Sequence, residues 1–112
     1  MSRAAEQMQE HLSLVSMHAP VMPVYANSTA LPYPEDTEDG KRLLSQQIDH
    51  PVLWEKTLRQ MQEDGFDTFI EVGPGKTLSG LVKKTLKNVT ICHVQDQQSL
   101  EETLETCGKK EN

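Results

Sequence analysis

A glycine-rich turn holds the residues of this sequence that are best suited to bind an anion. Gly73, Pro74, Gly75 and Lys76 separate a short apolar segment from a helical pattern that starts near Leu78. Amides at the start of a helix point outward with a partial positive charge, so those of Gly75 and Lys76 would attract a phosphate or a carboxylate. The alternative is a tight strand-to-helix turn that needs glycine only for its geometry. Spacing alone favours this second interpretation.

The same turn matches neither of two motifs that use a similar geometry. It is not a P-loop, because no glycine stands at the required distance before Lys76. Ser79 is not the nucleophile of a Gly-x-Ser-x-Gly elbow, since the local string KTLSG lacks the first glycine. The turn is therefore predicted to contain no activated nucleophile.

The histidines and cysteines do not form a metal-binding pattern. Their spacing contains no HxxH, HxxxH or CxxC, the short-range patterns in which metal ligands recur. The residues concerned are His11, His18, His50, His93, Cys92 and Cys107. We predict no metal site, a capping role for His50 at a helix junction, and solvated positions for His11 and His18.

The turn must be positioned by a strand before it and a helix after it, which is the building unit of an α/β sheet. Apolar and turn patterns predict the whole chain in the order α-β-α-α-β-α-β-α. The predicted segments are a helix at Ser2–Ser16, a strand at Pro23–Asn27, a loop at Ser28–Asp36, a helix at Thr37–Ile48, a helix from Pro51 that Gly65 ends, a strand of Phe69, Ile70 and Val72, a helix from Leu78, a strand at Val89–Val94, and a last helix with a Ser99–Glu102 capping box. Helices between successive strands imply parallel pairing.

Helical spacing also assigns an apolar face to each of the later helices. In chain order the inward residues are predicted to be Leu43, Leu44 and Ile48; Trp54, Leu58 and Met61; Leu78, Leu81, Val82 and Leu86; and Leu100, Leu104 and Cys107. Three strands make a sheet below the usual size, and the apolar faces require more cover than the chain supplies. The fold class predicted is α/β, a short parallel sheet flanked by helices, as part of a larger domain.

Composition excludes several classes of protein. The 112 residues suffice for one small domain, and 17 acidic against 11 basic residues give a formal charge of −6, which argues against a nucleic-acid partner. No apolar run reaches the ~18 residues of a membrane span, and no signal peptide is recognisable. Two cysteines without an export signal are predicted to be reduced. We therefore expect a cytoplasmic protein with neither a nucleic-acid nor a membrane partner.

Three strings of the sequence, taken in order and spacing, are specific together although each is weak by itself. They are PVYAN at Pro23–Asn27, QIDHPVLW at Gln47–Trp54 and FIEVGPGKTLSGL at Phe69–Leu81. They resemble the C-terminal part of malonyl-CoA:acyl-carrier-protein transacylase and the acyltransferase domains of fatty-acid and polyketide synthases. The resemblance covers nearly the whole chain. It implies that residues 1–112 are the C-terminal portion of an acyltransferase domain with a partial α/β-hydrolase-like acyltransferase core.

The family's reaction moves a malonyl group from coenzyme A to the phosphopantetheine thiol of acyl carrier protein through a serine ester. The resemblance implies malonyl-CoA as substrate, no covalently bound cofactor, and two partners: acyl carrier protein and the remainder of the acyltransferase domain. The family's serine in its Gly-His-Ser-x-Gly elbow, its histidine base and its carboxylate-binding arginine all match sequence upstream of these residues. Met1 resembles a methionine that follows that histidine by a few residues, and neither His11 nor His18 matches the histidine itself.

One catalytic residue follows from the resemblance. Gln47 matches a glutamine whose main-chain carbonyl accepts a hydrogen bond from the catalytic histidine. A Ser–His pair without an aspartate needs such an acceptor to fix the imidazole tautomer. The neighbouring Gln46 leaves the register open by one residue. Gly73, Pro74 and Gly75 match the family's turn, for which the resemblance implies no catalytic role.

Three functions are compatible with the sequence. The leading one is a piece of a malonyltransferase that is inactive by itself, because the nucleophile and base lie outside these residues. The second is a binding module that keeps a carrier-protein surface without chemistry. The third is a structural subunit that completes an active site supplied by another chain.

Overall fold

The computed structural model describes the backbone of residues 2–111 and the side chains of residues 2–107. The chain divides near residue 60 into two compact units. The first contains α1 (Arg3–Ser13), α2 (Thr37–Gln46) and most of α3 (Trp54–Glu63), and the second contains β1 (Thr68–Val72), α4 (Thr77–Thr85), β2 (Thr90–Val94) and α5 (Gln97–Glu111). Within the described part of the chain, no helix is both long and apolar enough to cross a membrane.

Side chains just before the first two helices explain where those helices begin. The Ser2 hydroxyl accepts a hydrogen bond from the Ala5 amide at 3.2 Å. The Asp36 carboxylate accepts from the Glu38 and Asp39 amides at 2.9 and 3.1 Å. Such acceptors satisfy amides that have no partner inside the helix. With their starts defined in this way, α1 and α2 pack against each other.

The predicted strand at Pro23–Asn27 is wrong. The segment makes a single antiparallel bridge, between Tyr25 and Pro32, flanked by main-chain hydrogen bonds of 2.9 and 2.8 Å. Proline has no N–H to donate to a ladder, and Pro23 and Pro32 limit the pairing at its two sides. The segment therefore forms a local turn with the loop that follows it, and it is not part of the parallel sheet.

Two predicted helix boundaries are also wrong, and Pro51 accounts for the end of α2. α2 ends at Gln46 instead of Ile48, and α3 begins at Trp54 instead of Pro51. Proline has no amide for a preceding helix and disfavours the helical conformation of the residue before it. The two helices are therefore separated by a seven-residue connection, residues 47–53.

Gly65 ends α3 in the left-handed conformation, as predicted. Its φ is +103°, and its amide donates to the Gln62 carbonyl at 3.1 Å. The Phe66 amide donates to the Met61 carbonyl at 3.0 Å. This pair of bonds is the Schellman arrangement, which satisfies carbonyls of the last helical turn. It redirects the chain from α3 towards β1.

A two-stranded parallel sheet forms the centre of the second unit. β1 and β2 pair along their full lengths, α4 connects them and contacts both, and α5 packs on β2. Val82 of α4 and Leu86, which caps the end of α4, are buried, as their spacing predicts. The prediction of a partial α/β core with a short parallel sheet is confirmed. In the described residues, however, the sheet has two strands and not three.

The start of α5 differs from the predicted capping box. The Asp96 carboxylate accepts from the Ser99 amide at 2.8 Å, and the Ser99 hydroxyl accepts from the Asp96 amide at 3.1 Å. This reciprocal pair is a capping box in which Asp96 is the cap. The predicted box of Ser99 and Glu102 is therefore displaced by three residues, and the helix starts one turn earlier.

Several predicted apolar faces are left uncovered. Among the described side chains of α5, those of Ser99 and Thr103 are buried, whereas Leu100 and Leu104 are 42% and 61% exposed. Ile48, predicted to point inward after α2, is 44% exposed. Hydrophobic periodicity identifies an apolar face on a helix, but it does not predict whether other residues of the same chain bury that face.

We predict opposite effects for alanine at two glycines of the second unit. Gly75 has a φ of +85°, and a side chain there would meet nothing within 4 Å, so Gly75→Ala would add backbone strain alone. The expected loss of unfolding free energy is about 1–2 kcal/mol. Gly80 is helical with equal free space, and Gly80→Ala should raise that free energy by roughly 0.5–1 kcal/mol. Urea unfolding of both variants is the measurement, and equal shifts would contradict the role of the turn.

Candidate functional site

The main-chain carbonyl of Gln47 is left without a partner by the residue four positions later. Gln47 caps the C-terminus of α2 with φ −57° and ψ −26°, so a continuing helix would place the residue 51 amide on its carbonyl. Residue 51 is Pro51, which has no N–H. No main-chain amide of the described residues donates to this carbonyl. It is available to a donor from outside them.

The neighbouring carbonyl is already occupied. Gln46 accepts from the Asp49 amide at 3.3 Å and from His50 Nδ1 at 2.7 Å. His50 Nδ1 also lies 2.8 Å from Asp49 Oδ1, and both acceptors require the Nδ1–H form of the ring. His50 thus caps the end of α2, as predicted. Of the two glutamines that the sequence leaves open, the geometry supports Gln47 as the one with a free carbonyl.

The Gln47 side chain is fully engaged in a role that sequence reasoning missed. Its Oε1 accepts from Asn27 Nδ2 at 2.9 Å, and its Nε2 donates to the Tyr33 hydroxyl at 2.9 Å. Burial raises the pKa of the Tyr33 hydroxyl. The Asn27 carbonyl also accepts from the Leu53 amide at 3.0 Å. The side chain therefore fastens the end of α2 to the turn at residues 25–33 and holds the carbonyl in place.

The glycine turn has the geometry that the sequence predicts. Gly73 and Gly75 have φ values of +132° and +85°, which side-chain-bearing residues rarely adopt. The Gly75 amide donates to Gln95 Oε1 at 3.0 Å. Lys76, at the cap position of α4, makes no side-chain capping hydrogen bond. The glycines are thus explained by backbone geometry, and one of the two amides proposed for anion binding already has a partner.

An internal carboxylate lies at the N-terminus of α4. Glu71 of β1 accepts from the Leu78 amide at 3.3 Å and from the amide and hydroxyl of Ser79, both at 2.8 Å. The hydrogen bond from the Ser79 amide is the main cause that lowers the Glu71 pKa below its usual value. An external anion would compete with this carboxylate for the same amides. Anion binding at the turn of Gly73, Pro74, Gly75 and Lys76 stays a prediction.

A cavity of about 560 Å³ opens beside α4 and β2 in the second unit. Its lining includes Lys76, Lys83, Cys92 and His93, so its rim carries more positive than negative charge. Among the described residues, no group of three or more histidine, cysteine, aspartate or glutamate side chains is arranged to hold a metal ion. The cavity is suited to a negatively charged surface more than to a metal.

Comparison with known proteins gives a consistent result, although no family model matches the chain. The malonyl CoA-acyl carrier protein transacylase of Bacillus subtilis (strain 168) is 37% identical over 112 residues, which is 100% of this chain and 35% of that relative. The chain is homologous to part of malonyl CoA-acyl carrier protein transacylase. This homology confirms the resemblance of the three sequence strings to the C-terminal part of the transacylase.

Two solved transacylase structures match the fold. The Clostridium perfringens transacylase gives a TM-score of 0.88 with 42% identity, over 96% of this chain and 34% of that chain. A malonyl-transacylase in complex with its type II polyketide acyl-carrier protein gives a TM-score of 0.85 with 28% identity, over 91% and 33%. The chain therefore spans about a third of the length of each transacylase that it matches.

We predict that the Glu71 carboxylate titrates below its ordinary pKa of 4.5. Protonation of Glu71 should then weaken its hydrogen bonds to the first amides of α4. Because the folded-state pKa is lowered, the stabilisation is complete above the ordinary pKa and is lost as pH falls through the lowered one. The Ser79 amide shift, followed by NMR from pH 7 to pH 2, should report this midpoint. Glu71→Gln should remove the transition, and a midpoint above 4.5 would contradict the contact.

Proposed function

We propose that the chain supplies the histidine-orienting carbonyl, that of Gln47, to a malonyl-CoA:acyl-carrier-protein transacylase. The observation that carries the proposal is the free carbonyl at the end of α2, which Pro51 leaves unpaired. It occurs at the position where the family resemblance requires an acceptor, in a chain whose relatives are transacylases.

The carbonyl acts on the proton of the histidine. When the catalytic histidine donates Nδ1–H to the Gln47 oxygen, its Nε2 is left as the base that takes the serine proton. The serine oxygen then attacks the thioester carbon of malonyl-CoA, and coenzyme A leaves as a thiol. In the second half-reaction, the phosphopantetheine thiol of acyl carrier protein attacks the malonyl-serine ester and restores the serine. No covalently bound cofactor is needed, and malonyl-CoA is the substrate.

Apolar surfaces of the second unit support the remainder of the acyltransferase domain as a partner. Ile70 and Val72 of β1 lie on the strand face opposite Glu71 and are 45% and 79% exposed. Leu100 and Leu104 add an exposed stripe on α5. Strands of parallel sheets are normally covered on both faces. These surfaces are suited to burial by the two thirds of a transacylase that these residues do not include.

A second candidate function is a carrier-protein-binding module without chemistry. The observation in its favour is the cavity lined by Lys76, Lys83 and His93, whose lysines would attract an acidic protein surface. One structural neighbour is a transacylase in complex with an acyl carrier protein. Titration of acyl carrier protein into this chain alone tests the module directly. Binding that Lys83→Glu weakens would favour it, and no binding would exclude it.

Reconstitution should separate the leading function from its alternatives. We expect no malonyl transfer by this chain alone, because the serine and histidine are supplied by other residues. Mixed or co-expressed with the first two thirds of the Bacillus subtilis relative, it should restore transfer from labelled malonyl-CoA to acyl carrier protein. Each component alone is the control. Self-acylation of the purified chain, or a folded mixture without activity, would refute the proposed function.

Gln47→Met in the reconstituted enzyme should separate the carbonyl from the side chain. The methionine variant loses the bonds to Asn27 and Tyr33, at a cost of about 1–3 kcal/mol in stability, but keeps its carbonyl. We expect kcat to fall by about tenfold or less, roughly 1.4 kcal/mol of barrier. Gln47→Pro displaces the carbonyl and should cost up to ~10⁴ in kcat.

The assay should be run where both variants are folded, as judged by circular dichroism. A loss of several hundredfold for Gln47→Met, without unfolding, would show that the side chain takes part in the reaction. The carbonyl assignment would then be wrong.

A further inference from the structure

Asp49 joins two points of the first unit that are distant in sequence. Its Oδ2 accepts a hydrogen bond from the Ser2 amide at 2.7 Å, across a separation of 47 residues. Its Oδ1 lies 2.8 Å from His50 Nδ1. Both carboxylate oxygens are therefore engaged, one with the residue that caps α1 and one with the ring that caps α2.

The contact is a short, ionised clamp at a solvent-exposed position. At 2.7 Å the bond is as short as charge-assisted bonds to carboxylates usually are. The Ser2 amide is the main cause that lowers the Asp49 pKa below its usual value, so the carboxylate is ionised at neutral pH. A negative charge is also favoured at the N-terminus of α1 by the helix dipole. The Ser2 hydroxyl accepts from the Ala5 amide and so caps α1.

The clamp lies close in sequence to the free carbonyl of the candidate site. Asp49 lies two residues after Gln47, whose carbonyl is free, and Ser2 is the residue at which the chain enters α1. In the family that the sequence resembles, the catalytic histidine stands a few residues before the methionine that Met1 matches. We propose that Asp49 is a positioning residue for malonyl transfer, one that holds the histidine-bearing segment beside the Gln47 carbonyl through the Ser2 amide. This inference rests on the proposed function.

The expected effect is on catalysis more than on substrate binding. Orientation of the imidazole requires a donor–acceptor distance of about 2.6–3.2 Å, and a misplacement of about 1 Å can cost ~10²-fold in rate. Asp49 touches neither malonyl-CoA nor the reacting atoms in this assignment. Its loss should therefore lower kcat and leave the KM for malonyl-CoA nearly unchanged.

The test uses the reconstituted enzyme with Asp49→Ala, Asp49→Asn and a matched control. We expect Asp49→Ala to lower kcat about 10–100-fold, with KM within about threefold. Asp49→Asn keeps one acceptor oxygen and should recover part of the loss. The control is Asp39→Asn, which removes the same charge from an exposed ion pair with Arg42 and should leave kcat unchanged. The amount of malonyl-enzyme formed in the initial burst gives the number of active sites in each preparation. We express kcat per active site on this basis.

A second readout does not depend on activity. In this chain, Asp49→Ala should accelerate hydrogen exchange of the Ser2 amide and shift its NMR signal, and Asp39→Asn should do neither. Unchanged kcat per site in Asp49→Ala, with an active parent enzyme, would overturn the inference and leave the proposed function intact. A variant with fewer active sites but an unchanged kcat per site would also overturn the inference, because a purely structural role predicts that result. An inactive parent enzyme would overturn the proposed function and the inference together.

Discussion

The candidate site depends on one constraint: Pro51 has no N–H and cannot donate a hydrogen bond to the Gln47 carbonyl. Without that bond α2 does not continue past this point, and no described main-chain amide donates to the Gln47 carbonyl. An exposed helix end would ordinarily satisfy such a carbonyl with water. Here the surrounding contacts hold it still, because the Gln47 side chain is bonded to Asn27 and Tyr33. A fixed acceptor is more useful for orienting an imidazole than a mobile one.

The second unit satisfies a helix end in the opposite way. The first amides of α4 would be open to an anion, but the Glu71 carboxylate occupies those of Leu78 and Ser79. A strand thus supplies the charge that the helix dipole favours, across a turn that Gly73 and Gly75 make possible. The two glycines of the turn are thereby accounted for by backbone geometry, and anion binding there stays a prediction.

Much of the fold was predictable because its causes are local. The glycine turn, the Gly65 helix end and the β1–α4–β2 crossover follow from residue types that restrict the backbone wherever they occur. The predicted strand at Pro23–Asn27 was wrong because a short apolar run does not specify the strand with which it pairs. The apolar stripe of α5 was real, but its residues Leu100 and Leu104 are exposed, and the described residues do not cover them.

The sequence by itself determined the family resemblance and the α/β class, because short strings and backbone-restricting residues act locally. The role of Gln47 follows from that resemblance and stays a prediction. Only the tertiary structure shows that the Gln46 carbonyl is bonded to His50 and that Asp49 reaches Ser2. These outcomes depend on which donors and acceptors meet after folding. Residues that are 47 positions apart leave no periodic or local signal of such a meeting in the sequence.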